Sequence, residues 1–399
     1  MNKADNLAGA AGQSQSVPSS IDLLIVGGGV MGLWAAVKAE RMGLKTLLVE
    51  ANRIGQGASG GLIGALMAHM PDKWSDKKQF QFDALVALEG EVAELQAATG
   101  LSVGYRRCGR IIPLPKPHLR DIALRHQQDA KTNWAQAGHQ YHWHVLDVPP
   151  VADYLSTQEM AGGFVYDTLA ARMSPRLMGK ALLGYLAAAK HVTVVEGMGV
   201  TALDMDRTQA TLSDGQLVSF GHVIVSAGYQ SFPLLQQSLK LSPAKPLGQP
   251  VKGQSALMKA TIDPAVPVVF LGGLYVIPHD DGMVAVGSTS EEGFVEPFTT
   301  DAQLDPLIEK ARQLVPALQN AEVIERWAGL RPKAIDRDPM VGAHPDYPRL
   351  IALTGGFKVG FGLAHRLADA ALRVVEGGEM QLPHSFSLEN HIAVAMKIS

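Results

Sequence analysis

Three glycines and one acid, spaced regularly, carry the first chemistry in this 399-residue chain. Gly27, Gly29 and Gly32 form G-x-G-x-x-G directly after the apolar run Ile21–Val26. Gly27 permits a tight turn, Gly29 lets a pyrophosphate approach the backbone, and Gly32 lets a following helix pack close to the strand. Val30 and Met31 open that helix, whose free N–H groups and dipole attract phosphate. Glu50 lies 18 residues past Gly32, at the end of the apolar run Lys45–Val49. A carboxylate there accepts hydrogen bonds from a ribose and repels a 2′-phosphate, so the expected nucleotide is that of NAD or FAD.

A second glycine cluster stands far along the chain, at Gly355, Gly356, Gly360 and Gly362. It opens another helix, predicted to run to about Val375. A turn this thin lets a flat ring rest on it. The helix dipole then favours a ring that gains negative charge on reduction.

These residues need elements to hold them. Leu33–Met42 has helical spacing and stops at Gly43. Ala51–Met70 reads as a small-residue loop beside the first glycine turn. Helices are predicted over 72–98, 115–137, 301–318 and from Ser174-Pro175 to Ala189, and a strand over Tyr105–Leu114. Buried strands are predicted over His191–Glu196 and His222–Gly228, with a hairpin turning at Asp214-Gly215. Four short runs, Val251–Met258, Val266–Leu271, Gly273–Pro278 and Met283–Ser288, suggest an antiparallel sheet layered over the nucleotide domain. His139, His142 and His144 invite a zinc reading, but no acid or cysteine completes a ligand set. Tyr141, Trp143 and Val145 alternate as on a strand, which would put His142 and His144 on its polar face.

Bulk properties narrow the classes. The net charge of −3 gives no basic field for nucleic acid or an acidic membrane. Apolar residues make up 47 % and charged residues 18 %, a globular balance. Cys108 is the single cysteine, so no internal disulfide forms, and it reads as a packed thiol. No apolar run is long enough to span a membrane. Residues 1–20 read as a flexible leader, residues 380–399 as a loose tail, and a cytoplasmic location is the default expectation.

The combination G-x-G-x-x-G, a strand-ending Glu and R-x-G-x-G-A-S-G (Arg53–Gly60) resembles the D-amino-acid-oxidase-type FAD family, with motifs most similar to glycine oxidase. Two more stretches carry the resemblance: Y-V-I-P-H-D-D-G-M-V-A-V-G-S-T-S-E-E-G-F from Tyr275, and E-R-W-A-G-L-R-P-K-A-I-D-R-D-P-M-V-G over Glu325–Gly342. The resemblance covers residues 21 to about 378. It implies a Rossmann-like FAD-binding domain, α/β and discontinuous, with a second substrate domain built on a mainly antiparallel sheet. The FAD-binding parts would be 21–104, 161–242 and 325–379, and the substrate parts 105–160 and 243–324.

For the cofactor the resemblance implies contacts from Gly27, Gly29, Val30, Met31, Gly32, Glu50, Ala51, Gly57, Ala58 and Ser59, with Gly64 and Ala65 along the flavin ring. It adds Val200, Ala227 and Gly228, then Gly356, Phe357, Lys358, Val359, Gly360, Phe361 and Gly362 under the ring. FAD is expected to be non-covalent, since Cys108 is far from the motifs, although His69 lies close to the Ser-containing loop. Arg331 would hold the substrate carboxylate through its two parallel donors. Tyr275 would help to position the same group, and Lys358 would stand near the substrate.

Two alternatives stay open. Arg331 as a structural ion-pair partner of Asp336 or Asp338 is one, and Tyr275 as a packed strand residue is another. Lys358 and His365 depart from the glycine oxidase pattern and leave the exact substrate undecided. The implied activity is oxidation of a small amino acid or secondary amine, with hydride passing from the α-carbon to flavin N5. The resulting imine would hydrolyse to a keto acid or aldehyde plus amine, and oxygen or another carrier would take the electrons, oxygen giving hydrogen peroxide. Other readings are a flavoprotein subunit of a hetero-oligomeric amine dehydrogenase or cyanide synthase and, with less support, an NAD-dependent dehydrogenase. A homo-oligomer is compatible with all of them.

Overall fold

The computed structural model describes residues 17–136, 138–238 and 243–397, with no side-chain description for residue 136. The expected leader falls largely on residues 1–16, outside this range. Val17 already packs on the core, and the first strand starts at Ser20.

The opening unit is β1 (Ser20–Val26), α1 (Val30–Met42) and β2 (Thr46–Glu50), with the two strands parallel. Alternate residues of β1 feed different cores. Leu23 and Ile25 join one apolar cluster, Leu24 and Val26 another. Both faces are covered, which explains the unbroken apolar run. Gly43 ends α1 in a left-handed conformation and returns its N–H to Ala39 and Glu40 carbonyls.

Next come α2 (Asp76–Thr99), β3 (Arg110–Pro113), α3 (Pro117–Asn133), β4 (Trp143–Leu146) and β5 (Phe164–Asp167). Helix α4 (Pro175–Leu186) is capped by Ser174, whose side chain accepts from the Leu177 N–H. Then follow β6 (Val192–Glu196), β7 (Val200–Asp204), β8 (Gln209–Leu212) and β9 (Leu217–Val225). The later strands are β10 (Gly248–Lys259), β11 (Val268–Leu271), β12 (Leu274–Pro278) and β13 (Met283–Gly287). The chain closes with α5 (Asp305–Leu314), β14 (Glu322–Ala334), β15 (Met340–Ala343), β16 (Leu350–Thr354), α6 (Gly360–Val375) and α7 (Leu388–Met396).

Two eight-stranded sheets organise these elements. The first has the order β6-β2-β1-β9-β8-β7, and β16 pairs with β9 and β15. Its centre is parallel, with antiparallel additions at the edges. The second runs β14-β10-β13-β12-β11-β3-β5-β4 and is antiparallel except between β3 and β11. The structure is thus mixed α/β, with the expected mainly antiparallel second layer.

Several boundaries move. β5, placed by the sequence in a nucleotide-binding segment, pairs with β3 and β4 in the second sheet. So does β14, through its long ladder with β10. Of the strand predicted over Tyr105–Leu114, only Arg110–Pro113 forms, because Gly109 turns the chain at φ +78. The helix predicted over 301–318 is α5 flanked by short 3₁₀ turns, since Pro316 has no N–H to continue it. Val200 begins β7.

The expected loose tail is a packed helix. Ser387 caps α7 by accepting from the Asn390 N–H, and Leu388, His391 and Ala395 are buried. In the three-histidine stretch, Trp143 is buried while His142 and His144 stack 5.3 Å apart. Among the described residues no group of His, Cys, Asp or Glu could hold a metal ion, and no helix is long and apolar enough to cross a membrane.

Candidate dinucleotide and substrate site

One cavity of about 1400 Å³ runs from the β1–α1 turn to the start of α6, with the second sheet as its other wall. Small-ligand pockets typically hold ~300–1000 Å³, so this one has room for a dinucleotide and a substrate together.

At the first end the backbone turns as the glycines dictate. Gly27 has φ +108, and a Cβ there would meet the Ser226 carbonyl oxygen at 2.4 Å. A Cβ on Gly32 would lie 2.0 Å from the Gly27 oxygen, so this position sets the approach of α1 to β1. Glu50 is held from both sides: Oε2 accepts from the Gly28 N–H at 2.8 Å and Oε1 from the Asn52 N–H at 3.0 Å. Ser59 Oγ accepts from the Val30 N–H at 2.9 Å, tying the small-residue loop to the first turn of α1.

Gly27, Gly29, Val30, Met31, Glu50, Ala51, Gly57, Ala58, Ser59, Ala65, Val200, Ala227 and Gly228 all line the cavity. Gly32 and Gly64 do not. Gly32 is the close-packing position just described. Gly64 was expected along the ring, but a Cβ there would meet the Met173 oxygen at 1.7 Å; it faces protein backbone.

At the other end the whole segment Gly356–Gly362 lies on the wall. Phe357 adopts φ 40, unusual outside glycine, and its N–H donates to the Pro332 carbonyl at 3.2 Å. This bond joins the glycine-rich turn to β14.

Arg331, Tyr275 and Lys358 meet here. Arg331 Nη2 donates to Ser288 Oγ at 2.8 Å and Nη1 to the Thr289 carbonyl at 3.0 Å. The ion pair with Asp336 or Asp338 does not form: Asp338 pairs with Lys77 at 2.8 Å, and Asp336 accepts from Asn390. Burial pushes the Arg331 guanidinium below its ordinary pKa, against the pull of Tyr275 and Glu291. Burial raises the Tyr275 phenol, opposed by Arg331 and Arg110. Lys358 is lowered by burial, then by Arg331 and Arg337, and its Nζ lies 5.4 Å from the Phe357 ring centre.

Two histidines noted in the sequence separate. His69 lines the cavity. His365 is fully buried against Trp34, 6.0 Å between ring centres, between α1 and α6. Its departure from the glycine oxidase pattern therefore concerns helix packing and not the substrate.

Sequence reasoning passed over four residues here. Trp327, Phe270 and Arg110 line the cavity from the second sheet. Gly253 lies beneath Arg331: a Cβ on it would meet the guanidinium carbon at 2.2 Å. The pairings Val251–Arg331, Ser255–Trp327, Ser255–Gly287, Gly287–Tyr275, Tyr275–Phe270 and Val268–Arg110 put all these side chains on one face of the sheet. A glycine inside a strand was the one local signal, since it often marks a close backbone approach.

Residues 22–371 match the DAO family, described as FAD dependent oxidoreductase. The chain belongs to that family. Its relatives include a glycine oxidase of Geobacillus kaustophilus (strain HTA426), 26 % identical over 382 residues, covering 93 % of this chain and 97 % of that protein. A glycine oxidase of Pseudomonas putida is 28 % identical over 381 residues, covering 90 % and 96 %. The crystal structure of the Geobacillus kaustophilus glycine oxidase superposes with a TM-score of 0.81 at 24 % identity, over 93 % of this chain and 99 % of that one.

As a DAO-family member the chain is an FAD-dependent oxidoreductase. The residues present fit that cofactor. The α1 N-terminus can hold the pyrophosphate, Glu50 is oriented for a ribose, and the thin turn before α6 can underlie a flat ring. Glu50 is the one acidic residue on the described cavity wall.

Proposed function

We propose that the enzyme oxidises a small amino acid or secondary amine at the carbon bearing the nitrogen, as a glycine-oxidase-like catalyst. The observation that carries this reading is Arg331. Its guanidinium is laid flat on Gly253, fixed by Ser288 and Thr289, and has no carboxylate partner among the described residues at the ring end of the cavity. A buried cation is costly unless something compensates it, and a substrate carboxylate does so with two parallel hydrogen bonds.

Bound FAD supplies a two-electron acceptor for hydride from the substrate α-carbon. The chain's own residues do the rest. Arg331 anchors the carboxylate and Tyr275, its phenol kept neutral by burial, orients it. Lys358 and the α6 N-terminus place positive potential where negative charge develops. No acid–base relay is required: orientation and electrostatics suffice once the amine is neutral. The oxidised product is an imine, which water converts to a keto acid or aldehyde plus amine, and oxygen or another carrier takes up the electrons. FAD is held without a covalent bond, in keeping with Cys108 lying in an apolar cluster off the cavity.

The two relatives reported above support this reading: both are glycine oxidases, and the match extends over most of each chain. The test is anaerobic mixing of the purified holoenzyme with a panel of amino acids and secondary amines while flavin absorbance is followed. Bleaching by one class identifies the substrate. A flavin that stays oxidised with every amine rejects the reading.

A further inference from the structure

Ser288 and Thr289, the acceptors that hold Arg331, lie just past the end of β13, on a segment that carries on beside β10. Lys252 and Glu291 exchange both backbone hydrogen bonds there, each at 2.9 Å, and the Thr289 N–H donates to the Gln254 carbonyl at 3.2 Å. Side chains alternate along β10. Gly253 therefore underlies Arg331 on the cavity face, while Lys252 and Gln254 point to the reverse face.

A buried polar network fills that reverse face. Lys252, 2 % exposed, places Nζ 2.8 Å from Asp301 and 3.8 Å from Glu291. The buried Gln254 amide donates to Glu291 at 2.9 Å and to Asp301 at 2.8 Å, and its oxygen accepts from the Asp301 N–H at 2.8 Å. Gln303 donates to the other Glu291 oxygen at 3.1 Å. The Thr289 hydroxyl donates to Glu291 and accepts from the Gln254 N–H at 2.8 Å. Glu291 thus gathers Lys252, Gln254, Gln303 and Thr289, and it is the Thr289 carbonyl that accepts from Arg331.

Two properties exceed what pinning a loop requires. The network sets one lysine against two carboxylates, while the next residue, Glu292, is spent on Lys333. The surplus negative charge lies across the sheet from Arg331, where Glu291 favours the charged guanidinium against the effect of burial. In addition, Ser288 and Thr289 take both terminal nitrogens of Arg331, so a shift of that one segment moves both.

We propose that Glu291 is a positioning residue for the substrate: from behind the sheet it fixes the Ser288–Thr289 segment and supplies part of the counter-charge of Arg331, so the guanidinium is aimed before a carboxylate arrives. This rests on the anchor role given to Arg331 in the amine-oxidation reading. Preorganisation of this kind lowers KM and leaves the hydride step as it is.

The test compares the FAD-loaded parent with Glu291→Gln and Glu291→Ala. Glu291→Gln keeps the volume and removes the charge, and it carries the test if Glu291→Ala does not fold. Anaerobic flavin bleaching by the amino acid that the panel identifies, and by its carboxamide, gives KM and the limiting rate for each. KM for the amino acid is expected to rise about 10-fold in Glu291→Gln and about 100-fold in Glu291→Ala. The limiting rate, the flavin content and KM for the carboxamide should change little. An equal loss for acid and amide, or a fall in limiting rate at unchanged KM, overturns the proposal, since Glu291 would then only hold the fold.

Crystal structures of the parent and the variants give a readout that needs no substrate. The Arg331 guanidinium should leave Ser288 Oγ or the Thr289 carbonyl in the variants, and a guanidinium still in place overturns the proposal. If no amine bleaches the flavin, the amine-oxidation reading fails by itself, and this displacement alone decides the positioning role.

Discussion

Arg331 lies flat on the backbone of Gly253, close enough that a single methyl on that glycine would occupy the guanidinium carbon's place. The two residues sit on neighbouring strands, β14 and β10, and the register Val251–Arg331 puts the arginine's own partner two residues earlier. The side chain therefore reaches diagonally along the sheet before meeting Ser288 and Thr289. Gly253→Ala should displace the anchor without touching the flavin. The expected outcome is a rise in KM for carboxylate substrates of about 100-fold, the scale of a 1 Å misplacement, with flavin content unchanged. Steady-state kinetics beside a flavin-to-protein absorbance ratio checks it, and an unchanged KM removes Arg331 from the carboxylate role.

Direct removal of the anchor is the companion measurement. Arg331→Ala should weaken substrate binding by about 2–5 kcal/mol, the cost of truncating one member of a buried charged pair. Saturation curves before and after the change supply the number. A carboxylate-free amine of similar shape should lose much less.

Glu50 accepts two backbone N–H groups as well as facing the cavity. Glu50→Ala leaves the Gly28 and Asn52 donors unanswered and removes the proposed ribose contact. FAD affinity should fall by about 1–3 kcal/mol, roughly 5- to 150-fold. Fluorescence titration of the apoprotein with FAD measures it, and an unaltered dissociation constant would remove Glu50 from the nucleotide site.

His365 makes stability depend on pH. Burial, reinforced by Lys38, lowers its pKa from 6.5 to about 3, so the folded state holds it neutral. The unfolded chain binds a proton near pH 6.5 that the folded chain refuses until about pH 3. The stabilisation is complete above pH 6.5 and is lost as pH falls toward 3, with a slope of at most about 1.4 kcal/mol per pH unit. Denaturant unfolding between pH 4.5 and 6.5 should show a shallower slope in His365→Leu than in the parent. Equal slopes would mean that the ring is solvated.

Leu388, 1 % exposed, buries α7 against the first sheet's core, and the helix also docks through His391 Nε2, 3.1 Å from the Pro339 carbonyl oxygen. Leu388→Ala should cost about 2–5 kcal/mol of unfolding free energy. Chemical denaturation checks it, and a cost under about 0.5 kcal/mol would mean a detached helix.

What could be read in the sequence was local. β1, α1 and β2 announce themselves because apolar runs, glycines and Glu50 act within thirty residues of one another. The Gly355–Gly362 turn was legible for the same reason. Arg110 was not, because its meaning depends on β3 pairing with β11 from a distant part of the chain. The close approach of Gly64 to Met173 was not legible either, because the two are likewise distant in sequence. The C-terminal helix did leave a trace: Ser387 as a cap, then Leu388, His391 and Ala395 on one face. Its polar interruptions hid the pattern. That β5 and β14 pair into the second sheet could not be read, because a strand's partners are not written in its own residues.

Strand β14 is thirteen residues long, and two consecutive residues on it serve different masters. Arg331 faces the cavity as the proposed carboxylate anchor, and the Pro332 carbonyl accepts from the Phe357 N–H in the glycine-rich turn before α6. The span between anchor and platform is thus a fixed gauge, one peptide unit wide at its root. New specificities can be tuned farther along the same sheet face, at Phe270, while that gauge stays as cut.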